Sequence, residues 1–377
     1  MKKPTIFICA AEPSGDMLGS RLMQAIKEIN PEANIVGVGG ESMQARGLKT
    51  WFNIKNLAVM GLFEVLSKAF DALKKINFTC EQIVKIQPDV IVTIDAPSFN
   101  FRVAKRLKKM GVKIPIIHYV APQVWVWKKS RAKIVHKFLD EILALLPFEP
   151  KLFEKYDMKT TFVGHSVIEA QAKPLSIAKI ESMLKPEEEL FLLLPGSRRN
   201  EVSRLLPEFI ASAKILRARN PHLVFMIPSV ETVKELVEEI LAKENFKAQV
   251  VLGQEMRYAA FAKAKGAIAA SGTVSLELGK FGVPHVVAYK FAPLTYWLAK
   301  FFIGQNVLMN ILNILMKKRF IPEFLQNEVQ AANLVNAWEK IDAKEFGKTC
   351  KQALAKLQSG DELPSVNAAR RVLSYIK

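Results

Sequence analysis

Cysteine is scarce and unpatterned: Cys9, Cys80 and Cys350 are far apart in 377 residues and include no CxxC pair. Such a set makes no disulfide framework and no structural zinc site, and it fits a reducing compartment. The five histidines are scattered without ligand spacing, so neither a metal nor a cofactor is expected. No uninterrupted apolar run is long enough to cross a bilayer as a helix. Two glycine patterns are missing as well. The absence of a GxxxxGK[ST] run argues against an ATP-hydrolysing phosphate loop. The N-terminal glycine spacing fails the dinucleotide fingerprint, which argues against an NAD-dependent enzyme. Lys2 and Lys3 precede an apolar TIFICAA run, superficially like a secretory signal, but the run is short and leads into a glycine turn, so it reads as a first buried strand.

What the chain does have is length, hydrophobicity and positive charge. Half of its residues are hydrophobic, and its size fits two α/β domains better than one small module. Lys and Arg number 54 against 36 Asp and Glu, a net charge of +18 that draws the protein towards an anionic partner such as nucleic acid, an acidic lipid surface or a nucleotide. The cations are spread in short groups, Lys108-Lys109, Lys128-Lys129, Arg198-Arg199 and Lys317-Lys318-Arg319 among them, rather than in a tail. Two stretches, residues 57–73 and 291–316, are greasy enough to be either core or an apolar surface entering a headgroup layer.

Strand and helix signals alternate twice along the chain. Residues 5–10, 35–38, 90–94, 114–119, 142–145 and 161–163 read as strands, with helices over 17–29 and 99–110, which predicts a mostly parallel sheet covered by helices. A second series of strands at 190–194, 223–227, 249–252, 267–270 and 285–288 alternates with helices starting near 201, 231, 256 and 273. The expected organisation is an N-terminal domain over 1–167, a linker over 168–189, a second domain over 190–327, and closing helices over 328–377 that can pack back towards the N-terminal domain. Two doubly wound domains imply a cleft between them, with ligands beyond the carboxyl ends of the strands.

Four strand-to-helix turns carry polar residues suited to chemistry. In the first, Glu12-Pro13-Ser14-Gly15-Asp16, Gly15 permits close approach and Ser14 or Asp16 can cap the helix. In the second, Asp95 stands at the end of the 90–94 strand, where it either accepts a proton from an attacking hydroxyl or caps the next helix. The third, Pro195-Gly196-Ser197-Arg198-Arg199, offers a guanidinium to a diphosphate, with Glu201 placed to hold an arginine. The fourth runs from Ser271 through Gly272 and Thr273 to Ser275 and Glu277: the helix N–H groups and hydroxyls suit phosphate oxygens, and Glu277 suits ribose hydroxyls. After the 114–119 strand, His118 and the aromatic pair Trp125 and Trp127 either bind sugar or pack.

In order along the chain stand AEPSGDMLG (11–19), GVGGESMQARG (37–47), LAVMGLFEVL (57–66), IDAPSFN (94–100), HYVAPQVWVW (118–127), LPFEPKLFEKY (146–156), FVGHS (162–166), LLPGSRRNEV (193–202), ASGTVSLE (270–277) and NILMKKRFIPEFLQNE (313–328). Together these blocks resemble the lipid-A-disaccharide synthase family, inverting bacterial transferases of GT-B architecture, with two Rossmann-like domains facing a cleft. The resemblance covers nearly the whole chain.

It implies transfer of 2,3-diacylglucosamine from UDP to the 6-hydroxyl of 2,3-diacylglucosamine 1-phosphate, giving a β-1,6 disaccharide and UDP. It also implies a cytoplasmic protein attached peripherally to the inner face of the inner membrane, with an anionic membrane surface as partner and no nucleic acid. Asp95 matches the family's essential aspartate and Arg198 a required arginine, assigned to the donor diphosphate with Ser197. Ser271, Gly272, Thr273 and Glu277 match the donor-side block, and Asn313, Glu323 and Gln326 a region expected near the nucleotide. Glu12, Ser14, Gly15, Asp16 and His118 are expected at the acceptor or cleft turns. Three departures stand out: Ala11 where glycine is common, Ser98 where a second acid is frequent, and Leu312 where an LPN element has proline. Two alternatives stay open: a GT-B enzyme on another UDP-sugar, such as an epimerase, and a non-catalytic membrane- or nucleic-acid-binding protein.

Overall fold

Strands such as TIFICA and VIVTI are apolar on both faces, as the inner strands of a helix-covered parallel sheet must be. The computed structural model describes residues 3–54, 65–122, 132–270, 272–290 and 308–376, and in it these strands build two separate parallel sheets. Unit 1 comprises residues 1–168 and 357–377, and unit 2 residues 169–356.

Unit 1 runs β1 (Thr5–Ala10), α1 (Pro13–Ile29), β2 (Asn34–Val38), α2 (Glu41–Gln44), α3 (Val65–Ile86), β3 (Val90–Ile94), α4 (Pro97–Lys109), β4 (Ile116–Tyr119), β5 (Glu141–Ala144), α5 (Pro150–Glu154) and β6 (Thr160–Phe162). Unit 2 runs α6 (Pro174–Glu181), β7 (Glu189–Leu194), α7 (Arg199–Arg219), β8 (Leu223–Ser229), α8 (Glu231–Lys243), β9 (Gln249–Leu252), α9 (Gln254–Lys263), β10 (Ala264–Ala270), α10 (Thr273–Lys280), β11 (His285–Tyr289), α11 (Ile311–Met316), β12 (Glu323–Leu325), α12 (Ala331–Glu339) and α13 (Ala343–Ala355). The chain then returns to unit 1 with α14 (Pro364–Leu373).

The period of two along each strand sorts side chains between two cores. On β1, Ile6, Ile8 and Ala10 join the layer under α1 and α14, while Phe7 and Cys9 join the layer under α3 and α4. On β7, Leu190, Leu192 and Leu194 face α9, while Phe191 and Leu193 face α7. All these residues are buried, and each large one contributes roughly 1.5–3 kcal/mol by leaving water.

Strand order places the turns that matter. In unit 1 it is β2-β1-β3-β4-β5-β6, so the winding reverses between β1 and β3. In unit 2 it is β12-β11-β10-β7-β8-β9, and the reversal lies between β7 and β10. At such a switch point the two following loops diverge to opposite faces and leave a crevice at the carboxyl ends of the strands. All four polar turns therefore leave strands that flank a switch point: those after β1 and β3 in unit 1, and those after β7 and β10 in unit 2.

Two expectations about organisation differ from what is observed. Residues 168–189 do not form a free linker. The chain enters unit 2 at Glu169, and α6 buries Ile180 in the core that α9 covers. Pro174, inside the stretch expected as a linker, stands at the first helical position, where a missing N–H costs nothing. The closing segment 328–377 is divided: α12 and α13 belong to unit 2, and α14 packs on α1 in unit 1. Helix α14 is tied down by Glu141 of β5. That fully buried carboxylate accepts from Nε of Arg371 at 2.7 and 2.9 Å, from the Tyr375 hydroxyl at 2.7 Å and from Thr161 Oγ1.

Candidate functional site

In unit 1 the crevice is formed where β1 and β3 end side by side, Ala10 opposite Ile94. Helix α1 starts at Pro13, which suits a first helical position, with Glu12 at the N-cap and no side chain capping it. Gly15 lets this helix approach the end of β3: a Cβ there would sit 3.2 Å from the Ile94 carbonyl oxygen. The chain leaves β3 through two successive left-handed residues, Asp95 (φ 48°) and Ala96 (φ 45°). Each costs about 1 kcal/mol or more, so surrounding bonds must impose the turn. The Asp95 N–H donates to the Tyr119 carbonyl at 2.9 Å, and the N–H groups of Phe99 and Asn100 donate to Ala96 O, both at 3.0 Å. The Asp95 carboxylate is left half-exposed beside the start of α1, where the exposed Ser14 hydroxyl donates to its Oδ2 at 3.3 Å.

Asp16 and His118 do not take the positions expected of cleft residues. Asp16 is buried, and its carboxylate accepts from the N–H groups of Gly40 at 2.7 Å, Ser42 at 2.8 Å and Met43 at 3.1 Å. It caps α2 rather than α1 or a ligand. His118 is fully buried on β4, its Nδ1 2.8 Å from Thr93 Oγ1 and its ring edge-on to Phe101. Burial pushes its pKa down to about 3, so the ring stays neutral at working pH and is no general acid or base there. Of the aromatic block that follows, residues 123–127, with Trp125 and Trp127, lie outside the described residues, as do residues 57–64 of the first greasy stretch and 291–307 of the second.

In unit 2, β7 is followed by Pro195-Gly196-Ser197, with Arg198 as the N-cap of α7. Gly196 is left-handed (φ 106°) and lies under Glu201, which a Cβ would strike. Ser197, Arg198 and Arg199 are exposed, and Arg198 pairs with Glu201 at 2.8 Å. Two guanidinium groups thus stand at the start of a 21-residue helix, an arrangement whose charge and dipole suit an anion. Across the switch point Gly272 is the N-cap of α10 and Thr273 its first residue, both exposed; Ser271 lies outside the described residues.

The remaining residues expected on the donor side separate by burial. Glu277 is half-buried and accepts from Arg257 at 3.0 Å and Tyr258 at 3.1 Å, both on α9. Ser275 is buried and serves no phosphate. Val283 O can only accept, so His285 Nδ1 carries the proton at 2.8 Å, its Nε2 accepts from Ser275 Oγ at 2.7 Å, and Ser275 accepts from Asn310 Nδ2 at 2.6 Å. Burial lowers the His285 pKa to about 4, against the weaker opposing effect of the Val283 bond.

Asn313 is likewise fully used. Its Nδ2 donates to Ile321 O and Glu323 Oε1, and its Oδ1 accepts from the N–H groups of Phe320 and Ile321. Glu323 Oε2 accepts from the N–H groups of Met309 and Asn310. Asn313 and Glu323 thus brace the loops around α11 instead of presenting themselves to a nucleotide. Gln326, half-buried and left-handed (φ 48°), opens the turn after β12. Asn313→Ala would strand several of these partners, and the variant is expected to lose on the order of 3 kcal/mol in urea unfolding.

The three thiols are buried away. Burial raises the thiol pKa of Cys9, and takes those of Cys80 and Cys350 to about 11 and about 12, so all three stay protonated. Among the described residues no group of three His, Cys, Asp or Glu is arranged to hold a metal ion, and no helix is long and apolar enough to cross a membrane.

The site has recognisable relatives. The family model described as Lipid-A-disaccharide synthetase matches residues 6–371. A lipid-A-disaccharide synthase of Rhodospirillum centenum is 40% identical over 100% of this chain and 96% of its own length. That of Paramagnetospirillum magneticum is 40% identical over 99% and 97%. Among solved structures, the S. aureus MnaA–UDP co-structure superposes with TM-score 0.67 at 15% identity, covering 99% of this chain and 97% of that one. The Neisseria meningitidis UDP-GlcNAc 2-epimerase bound to UDP-GlcNAc gives 0.62 at 13%, covering 99% and 98%. At such identities the structures speak for fold alone, and the fold is GT-B.

Proposed function

The chain belongs to the lipid-A-disaccharide synthetase family, a hexosyltransferase using a UDP-sugar donor, and on that premise we propose that it moves 2,3-diacylglucosamine from UDP to the 6-hydroxyl of 2,3-diacylglucosamine 1-phosphate. The observation that carries this reading is the exit turn of β3, where two strained residues hold the Asp95 carboxylate half-exposed at the switch point of unit 1.

In the proposed step Asp95 takes the proton of the acceptor hydroxyl as that oxygen attacks the anomeric carbon from the face opposite UDP. One bond forms as the glycosidic bond to UDP breaks, so the configuration inverts to a β-1,6 linkage. The electron pair leaves with UDP. Arg198, Ser197, Thr273 and the N-termini of α7 and α10 are the groups assigned to meet the charge developing on its diphosphate. Glu277, with its Arg257 and Tyr258 partners, is assigned to the ribose, and Glu12 and Ser14 to the acceptor side. Both substrates carry acyl chains, and the net charge of +18 suits an anionic bilayer. We infer that the protein works peripherally at the cytoplasmic face of the inner membrane.

Purified protein in mixed micelles with the two lipids is expected to yield the disaccharide and UDP in equal amounts, the new linkage β by NMR. Binding of both lipids without product would sink the proposal. Arg198→Ala is expected to lower kcat/KM by roughly 10²–10³, the cost of one oriented donor to a developing anion. Arg198→Lys should recover only part of it, because a lysine has charge without the paired donors.

A further inference from the structure

We infer that Asn100 is the positioning residue for Asp95: its buried side-chain amide locks the left-handed turn that aims the carboxylate. The inference rests on the assignment of Asp95 as the base. Asn100 stands in the first turn of α4 and is fully buried. Its Nδ2 donates to Asp95 O at 2.8 Å and to Ile94 O at 3.0 Å, and lies 3.5 Å from Cys9 O. All three neighbours are carbonyl oxygens, so the amide can face only one way. A single side chain thereby ties the last residue of β3, the first residue of its turn and the adjoining strand β1.

The other half of the amide shows why an asparagine is there. Asn100 Oδ1 is buried and has no hydrogen-bond partner among the described residues. A buried acceptor without a partner is unfavourable, and leucine would fill similar space without that penalty. The residue is therefore explained by its donors, not its packing. Those donors meet the place where the backbone needs help, since Asp95 and Ala96 are both left-handed without being glycine. Without the amide, the turn can relax to right-handed or extended backbone and swing the carboxylate away from the Ser14 side of the crevice. Displacement of a catalytic group by about 1 Å is enough to cost on the order of 100-fold.

The test uses the full chain in the micelle assay with four variants: Asp95→Asn, Asn100→Ala, Ala96→Gly and the Asn100→Ala/Ala96→Gly double. Asn100→Ala is expected to lower kcat roughly 10- to 100-fold with both KM values within about threefold of wild type. Glycine adopts the left-handed region without strain, so adding Ala96→Gly should restore several-fold of the lost kcat. A purely structural role for Asn100 would lower the melting temperature and leave nothing for the glycine to rescue. Unchanged kcat in Asn100→Ala, with Asp95→Asn inactive, overturns the inference and spares the base. Loss of kcat without rescue also overturns it. Full activity in Asp95→Asn removes the base assignment itself, and this inference with it. Should Asn100→Ala fail to fold, Asn100→Leu, which keeps the branched shape and lacks the donors, replaces it in every comparison.

Discussion

Asp95→Asn is expected to reduce kcat by roughly 10²–10⁴ while leaving the protein folded, the range by which a positioned general base accelerates proton transfer. The exchange is nearly isosteric, and the backbone bonds that hold the turn do not involve the carboxylate: Asp95 N–H reaches Tyr119 O, and Asp95 O accepts from Asn100. Asparagine also tolerates the left-handed region about as well as aspartate, so φ 48° adds no new strain. What is lost is the capacity to accept a proton. Initial rates of UDP release at saturating lipid, with circular dichroism as a check on folding, measure this. A kcat within twofold of wild type would mean that the proton goes elsewhere and that Asp95 is only a turn residue. His118 is no substitute in this unit, because burial keeps its pKa near about 3.

The second large effect is on stability, at the clasp between β5 and α14. Glu141 is fully buried in the strand, and its charge is compensated by Arg371, Tyr375 and Thr161. Arg371→Ala removes the only cation within direct hydrogen-bond distance of it among the described residues, since Lys159 stands 3.8 Å away. Removing one member of a buried pair strands the other, at a cost of about 3–5 kcal/mol. In a unit of this size that lowers the thermal transition by on the order of 10 °C. The neighbouring pair Arg370–Glu362 is on the surface, and Arg370→Ala is the control that should barely move the melt. Equal melting of the two variants would show that α14 is held by its apolar contacts with α1 alone.

Much of the frame was legible locally. The strands expected at 5–10, 90–94 and 249–252 are observed with those bounds, Thr5–Ala10, Val90–Ile94 and Gln249–Leu252, and most other expected strands shift by a residue or two. Short aliphatic runs bounded by turn residues leave the backbone few alternatives. Strand β12, Glu323–Leu325, went unread because it follows Pro322 and opens on a glutamate, so no apolar run marks it. Asn100 left a trace that could have been followed: with Val103, Ala104 and Leu107 it keeps the i, i+3, i+4, i+7 spacing of a buried stripe, a polar residue at its head.

The family, the alternation of strands and helices, and the four turns that carry the proposed chemistry were determined by the sequence alone. Each of them is local: a hydrophobic period, a glycine where the chain turns, a block of neighbouring residues. Which polar residues stay exposed and which are used up inside the fold was decided only by the tertiary structure. Asp16, Ser275, Asn313 and Glu323 belong to the same series of blocks as Asp95, Arg198 and Thr273, yet their hydrogen bonds are taken up by the fold itself. Glu141 falls just outside the strand expected at 142–145, and the arginine that lets it be buried lies 230 residues further along the chain. Whether a buried polar group is satisfied depends on partners that only the folded chain brings within reach.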